Sequence, residues 1–140
     1  MSELEYSSEI IESLLSNPET NILVSCMNGR NRSKTVAREI AELGYTNVRT
    51  LGVKDYRIPR DEKEEEINWA QLVVPTGVDV EAEIRRINRE VTTLGIRIEN
   101  KEHYFLTAGT EQQKERIRVA IRERLSDAGF VNFQEKQNKT

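Results

Sequence analysis

Apolar residues along the chain fall into two patterns, short unbroken runs and stripes at helical spacing. Ile22-Leu23-Val24 and Leu72-Val73-Val74 are unbroken runs of strand length, and residues 48–53 and 96–98 read as two further strands. The stripes lie around and between them. Ile10, Ile11, Leu14 and Leu15 share one helical face after a Ser7-Ser8 cap, and Asn17-Pro18 stops that helix. Val36, Ala37, Ile40, Ala41 and Leu43 predict a second helix, opened by Asn31 or Ser33 and ended by Gly44. Residues 62–70, with the only tryptophan, Trp69, predict a short third helix. Asp79 is placed to cap a fourth, with Val80, Ile84, Ile87 and Val91 on one stripe. Residues 99–109 read as a loop, and residues 110–125 as a long charged helix with Ile117, Ala120, Ile121 and Leu125 inward.

Strands that alternate with helices predict an α/β fold, here a three-layer α/β/α sandwich with a parallel sheet of about four strands. The 140 residues suit a single domain over residues 1–133, followed by a polar tail at 134–140. In such sheets ligands bind beyond the carboxyl ends of the strands. The first strand ends at Cys26, so the fold directs attention there.

Charge narrows the function classes. With 24 acidic and 21 basic residues the net charge is −3, so the chain lacks the basic excess of a dedicated nucleic-acid binder. No apolar stretch has the length of a bilayer span, and Met1-Ser2-Glu3-Leu4-Glu5 lacks the basic start of a signal peptide. A single cysteine cannot close an internal disulfide, so a cytoplasmic setting is expected. One Cys and one His, His103, give no basis for a structural zinc site, and no metal or cofactor is expected. His103 itself reads as a loop residue.

Cys26 heads the segment Cys26-Met27-Asn28-Gly29-Arg30-Asn31-Arg32-Ser33, which is Cys, five residues, Arg and Ser. A strand, a polar Gly-containing loop and a helix start together form an anion cradle, in which backbone N–H groups and the helix dipole converge on an oxyanion. A thiol in that field is favoured as thiolate, the nucleophilic form. Arg32 is placed to grip two phosphate oxygens. Met27, Asn28, Gly29, Arg30, Asn31 and Arg32 are the candidate phosphate-binding residues.

Ile22-Leu23-Val24-Ser25-Cys26 leading into Arg32-Ser33-Lys34-Thr35-Val36-Ala37 resembles the cysteine-dependent protein tyrosine phosphatases of the low-molecular-weight type. In that family the Cys loop comes early, as it does here with 25 residues before it. Two further segments, Val48-Arg49-Thr50-Leu51-Gly52 and Ile67-Asn68-Trp69-Ala70-Gln71-Leu72-Val73-Val74, resemble its second and third strands and their approaches. The resemblance implies hydrolysis of phosphate monoesters, protein phosphotyrosine among them, through a phosphocysteine on Cys26. Arg32 would bind the equatorial oxygens and Ser33 would hydrogen-bond the sulfur. The implied partners are a phosphorylated protein or a small phosphate monoester, with no nucleic acid and no membrane.

The family also requires a general acid. No aspartate lies between Gly95 and Gly109, so the role falls to Glu102, two residues before Tyr104, with Asp55, beside Tyr56, and Glu99 as alternatives. Two other readings of the loop remain open. Cys-x-x-Gly-x-x-Arg-Ser followed by Ala41-Glu42-Leu43-Gly44-Tyr45 is also reminiscent of rhodanese-like sulfur-transfer domains, whose active loop is shorter and lies late. A non-catalytic phosphate-binding pseudophosphatase is the reading if no acid stands near Cys26.

Overall fold

The first apolar run becomes strand β1 (Ile22–Cys26), all five of whose residues are buried. It is the middle of a three-stranded parallel sheet, with β2 (Val48–Gly52) on one side and β3 (Leu72–Pro75) on the other. The computed structural model describes residues 3–28 and 31–134. Six helices complete the α/β fold: α1 (Glu3–Leu15), α2 (Asn31–Glu42), α3 (Arg60–Trp69), α4 (Val78–Ile87), α5 (Asn100–Ala108) and α6 (Glu111–Ala128). No helix among the described residues is long and apolar enough to cross a membrane.

Side-chain alternation along β1 sorts the helices into two layers. Ile22 and Val24 pack with Leu15 of α1, Val36 and Ile40 of α2, Leu106 of α5, and Ile117, Ile121 and Leu125 of α6. Leu23 points the other way, into a core with Ile67 of α3 and Val80 and Ile84 of α4. Helices therefore cover both faces, an arrangement compatible with an α/β/α sandwich. This double cover explains why β1 and β3 are continuous apolar runs rather than alternating ones.

The sheet has three strands among the described residues, not the expected four or so. The missing one has a specific cause. Residues 92–98 do run beside β3: Val73 N–H donates to Thr92 O (2.9 Å) and Leu94 N–H donates to Val73 O (3.0 Å), closing a parallel bridge between Val73 and Thr93. The next bridge begins with Ile96 N–H donating to Pro75 O at 3.0 Å. Its second bond would need an N–H on residue 75, and proline has none. The extended segment expected at 96–98 thus lies along the sheet edge with its ladder interrupted.

Other boundaries also moved. Residues 99–109, expected as a loop, contain α5, which opens with a capping box in which Glu99 N–H donates to Glu102 Oε1 at 3.0 Å. Helix α1 starts at Glu3, so Ser7-Ser8 lies within it rather than capping it. Helix α4 is preceded by Gly77, which places Asp79 inside the first turn, and it ends before Val91. Gly44 follows α2 at φ 109°, the left-handed conformation that ends helices at least strain. Of the tail expected from residue 134, only Gln134 lies within the described residues, its N–H donating to Leu43 O at 3.3 Å.

Tyr45, the residue after that glycine, fastens the two ends of the chain together. Its buried hydroxyl donates to Leu15 O (2.6 Å) and accepts from Val131 N–H (3.0 Å). The ring meets Phe130 and Phe133 edge-on, with centroids 5.6 and 5.1 Å away. Tyr45→Phe keeps the ring and strands two backbone groups in a closed site. The expected loss of unfolding free energy is about 1–3 kcal/mol, read from urea denaturation. An unchanged midpoint would contradict this account.

Candidate functional site

Cys26 shares the side-chain parity of Ile22 and Val24, so it faces the layer that holds α2 and α5. It is the last residue of β1, aligned with Gly52 of β2. Backbone bonds fix the chain as it leaves the sheet: Val53 N–H donates to Cys26 O (2.9 Å), and Lys54 N–H donates to Met27 O (2.7 Å). Behind it, Ser25 Oγ donates to Leu51 O (2.9 Å), while Thr76 donates from both its N–H and its hydroxyl to Ser25 O, each at 3.0 Å. This is where the strand order β2-β1-β3 reverses direction, the crevice in which open parallel sheets bind ligands.

Helix α2 begins at Asn31 and brings its first turn against the sulfur. Cys26 Sγ donates to the buried Ser33 Oγ at 3.1 Å, and a thiolate there would accept from the same hydroxyl. Arg32 reaches across to α5, where its guanidinium donates to the Asn100 Oδ1 oxygen. A cavity of about 310 Å³ is lined by Cys26, Met27, Asn28, Arg32, Asp79, Asn100 and His103. Of the residues predicted from sequence, Cys26, Ser33, Arg32, Met27 and Asn28 therefore come together. Asn31 contributes the start of α2, and Gly29 and Arg30 lie outside the described residues.

The predicted acids stand elsewhere. Both Glu102 oxygens accept from Arg124 of α6, at 2.9 and 2.6 Å, and one also accepts from Glu99 N–H. Burial alone would raise the Glu102 pKa, but the Arg124 hydrogen bonds, that N–H and the Arg124 charge hold it below the ordinary value. Asp55 accepts from Arg57 Nε (2.9 Å), Nη2 (2.8 Å) and backbone N–H (3.0 Å). Those side-chain and backbone bonds hold its carboxyl at about 2, too low to carry a proton at neutral pH. Neither residue, nor Glu99, lines the Cys26 cavity.

Three cavity residues escaped the sequence reading. Asp79 is taken there for a helix cap, but one position inside α4 it turns toward the cavity instead. Asn100 and His103 sit in a segment taken for a loop. The spacing of three that puts both on one face becomes meaningful only once α5 is a helix. Burial, and then the nearby Arg32 charge, push the His103 imidazole below its ordinary pKa.

The cavity abuts a cleft of about 910 Å³, with which it shares Arg32, Asp79 and Asn100 and which adds Val78, Arg97 and Lys101. A separate hollow of about 420 Å³ between residues 95–99 and α6 presents Arg97, Glu99, Arg124 and Asp127 but no nucleophile. Among the described residues, no group of three His, Cys, Asp or Glu side chains is gathered to hold a metal ion.

The Asp55–Arg57 pair has a pH signature. The folded carboxyl titrates near 2 rather than at its ordinary 3.8, so its stabilisation is complete above about pH 4 and is lost as pH falls toward 2. Asp55→Asn is expected to lower stability at neutral pH and to flatten the dependence between pH 4 and 2, measured by urea midpoints across that range. An acid limb identical to that of the unaltered protein would contradict the assignment.

Compared with family models, curated proteins and solved structures, the chain finds no match, and the reading of the site rests on its own geometry.

Proposed function

We propose that the protein is a cysteine-dependent phosphatase of the low-molecular-weight type that hydrolyses phosphate monoesters in a reducing cytoplasm, phosphotyrosine in proteins being the expected substrate. One observation carries the reading. At the sheet's switch point, the Cys26 sulfur lies 3.1 Å from the Ser33 hydroxyl at the start of α2, and Arg32 lines the same cavity. The end of β1, Cys26, the start of α2 and the Arg32 guanidinium border a cavity of about 310 Å³, a size that suits a phosphoryl group. A broad cleft beside it leaves room for the rest of a substrate.

In this mechanism the thiolate attacks phosphorus in line and forms a phosphocysteine. Arg32 and loop N–H groups hold the equatorial oxygens where charge is greatest, so positioning and electrostatics supply most of the acceleration. Ser33 stabilises the sulfur anion when it is released by water in the second step. A proton for the leaving oxygen must come from within the cavity, where Asp79 and His103 are the titratable neighbours of Cys26 and Arg32.

A second reading draws on the displacement of Glu102 and Asp55 from the cavity. With no proton donor in place, the same cradle would bind phosphate without turning it over, as a pseudophosphatase module does.

Turnover of 4-nitrophenyl phosphate separates the two. The unaltered protein is expected to hydrolyse it and to be inhibited by vanadate. Cys26→Ser should reduce kcat below detection while still binding phosphate, and Arg32→Lys should cost about 10²–10³ in rate, the scale of losing one transition-state donor. Full activity in Cys26→Ser would end the covalent mechanism. Phosphate binding without turnover in the unaltered protein would establish the second reading.

A further inference from the structure

His103 is the only histidine in the chain, and its ring sits in the Cys26 cavity with an unmet need. Its Nδ1 atom is buried and makes no hydrogen bond, the one such side-chain nitrogen or oxygen among the described residues. Buried polar atoms are nearly always paired, because leaving one unpaired forfeits its hydration without return. An unpaired one calls for an explanation, and a role in the chemistry of the neighbouring cavity is one that P–O bond cleavage there would supply. The start of helix α5 is anchored: Asn100, one turn before His103 on the same face, accepts from the Arg32 guanidinium, and the Glu99–Glu102 capping box closes the first turn.

The charges around the ring define when it can hold a proton. The titratable and charged groups that share the cavity with it are Arg32 from α2, Asp79 from α4 and Cys26 from the end of β1. On its own helix, Glu102 is neutralised by Arg124 of α6. Burial and the Arg32 charge both disfavour imidazolium. A dianion bound to Arg32 cancels one of these causes and adds attraction, so occupancy of the cradle itself draws a proton onto the ring.

Resting on the phosphatase reading of Cys26, we infer that His103 is the proton-transfer residue of this site. With a phosphate monoester dianion bound, the imidazolium gives its proton to the ester oxygen as the sulfur–phosphorus bond forms and the phosphorus–oxygen bond breaks. The products are the free alcohol, phosphocysteine and neutral imidazole. The neutral ring then takes a proton from the water that attacks phosphorus as the sulfur–phosphorus bond breaks, which releases inorganic phosphate and restores thiolate and imidazolium. No further reactant is needed. Protonation thus follows substrate binding.

The chain's single histidine gives one set of imidazole resonances, so its titration can be followed by NMR without assignment by mutation. Sulfate, a dianion throughout the accessible pH range, serves as the probe on the unaltered protein. Saturating sulfate is expected to raise the His103 midpoint by about one to three pH units, the scale of an opposite charge at close range. Sulfate that binds without moving the midpoint overturns the inference and leaves the cradle intact. Absence of sulfate binding overturns the reading of the cradle on which the inference rests.

Kinetics supply the second arm. His103→Gln should slow an alkyl phosphate, whose leaving oxygen needs the proton, by about 10²–10⁴, and 4-nitrophenyl phosphate by less than about tenfold. Equal slowing of both esters, or the leaving-group effect appearing in Asp79→Asn instead, overturns the assignment.

Discussion

Burial of β1 on both faces and both edges is the constraint from which the rest follows. A strand flanked by two parallel neighbours and covered by helices on both faces has no solvent-facing side, so Ile22, Leu23 and Val24 are all apolar, and any polar atom on it must find a partner. Ser25 meets that demand through its bond to Leu51 O, and its carbonyl accepts twice from Thr76. The chain can turn back toward solvent only past the end of the sheet, and Cys26 is the residue at that point. Its burial and its place at the crevice share one cause. The strand that organises the core delivers the sulfur to the mouth of the switch-point crevice, on the side set by side-chain parity.

The pattern of the sequence located what burial dictates and missed what caps and prolines dictate. The apolar runs Ile22-Leu23-Val24 of β1 and Leu72-Val73-Val74 of β3 stand out at once. Helix α2 was legible from its stripe and from Gly44, whose positive φ matches its expected role. Helix α5 was not, because only Leu106 of its nine residues is buried and no stripe marks it. Its start signal is a Glu99–Glu102 box rather than the usual Ser or Thr. The fourth strand failed for the opposite reason: the extended run is present, but Pro75 withholds the one N–H that the ladder needs.

Those errors were not neutral for the site. The half supplied by β1 and α2, Cys26 with Arg32 and Ser33, is contiguous in sequence and readable as one motif. The half supplied by α4 and α5 is not. Asp79, Asn100 and His103 are linked to the cysteine only through topology, since α4 follows β3 and α5 follows the edge segment beside it. Reading residues 99–109 as a loop removed the helical spacing that joins Asn100 to His103. It also left acid-before-tyrosine as the remaining guide, and that guide led to Glu102.

Arginine pairing explains why Glu102 is ill suited to the role. The carboxylates nearest to full burial are each held by a guanidinium: Glu39 by Arg122 at 2.7 Å, Asp55 by Arg57 at 2.8 Å and Glu102 by Arg124 at 2.6 Å. Such pairing suits helix docking and turn locking, because a buried charge without its partner is costly. It also makes Asp55 and Glu102 poor acids, since their arginine and backbone N–H bonds favour the ionised form and hold both below the ordinary value. A proton donor needs the reverse, a setting whose preference for charge changes as the reaction proceeds. Among the described residues, no carboxylate pairs with the arginine of the Cys26 cavity. Arg32 is held by the neutral amide of Asn100, which orients the guanidinium without spending its charge. In the proposed reaction, that neutral partner would leave the cation available to an incoming anion and His103 to respond to it.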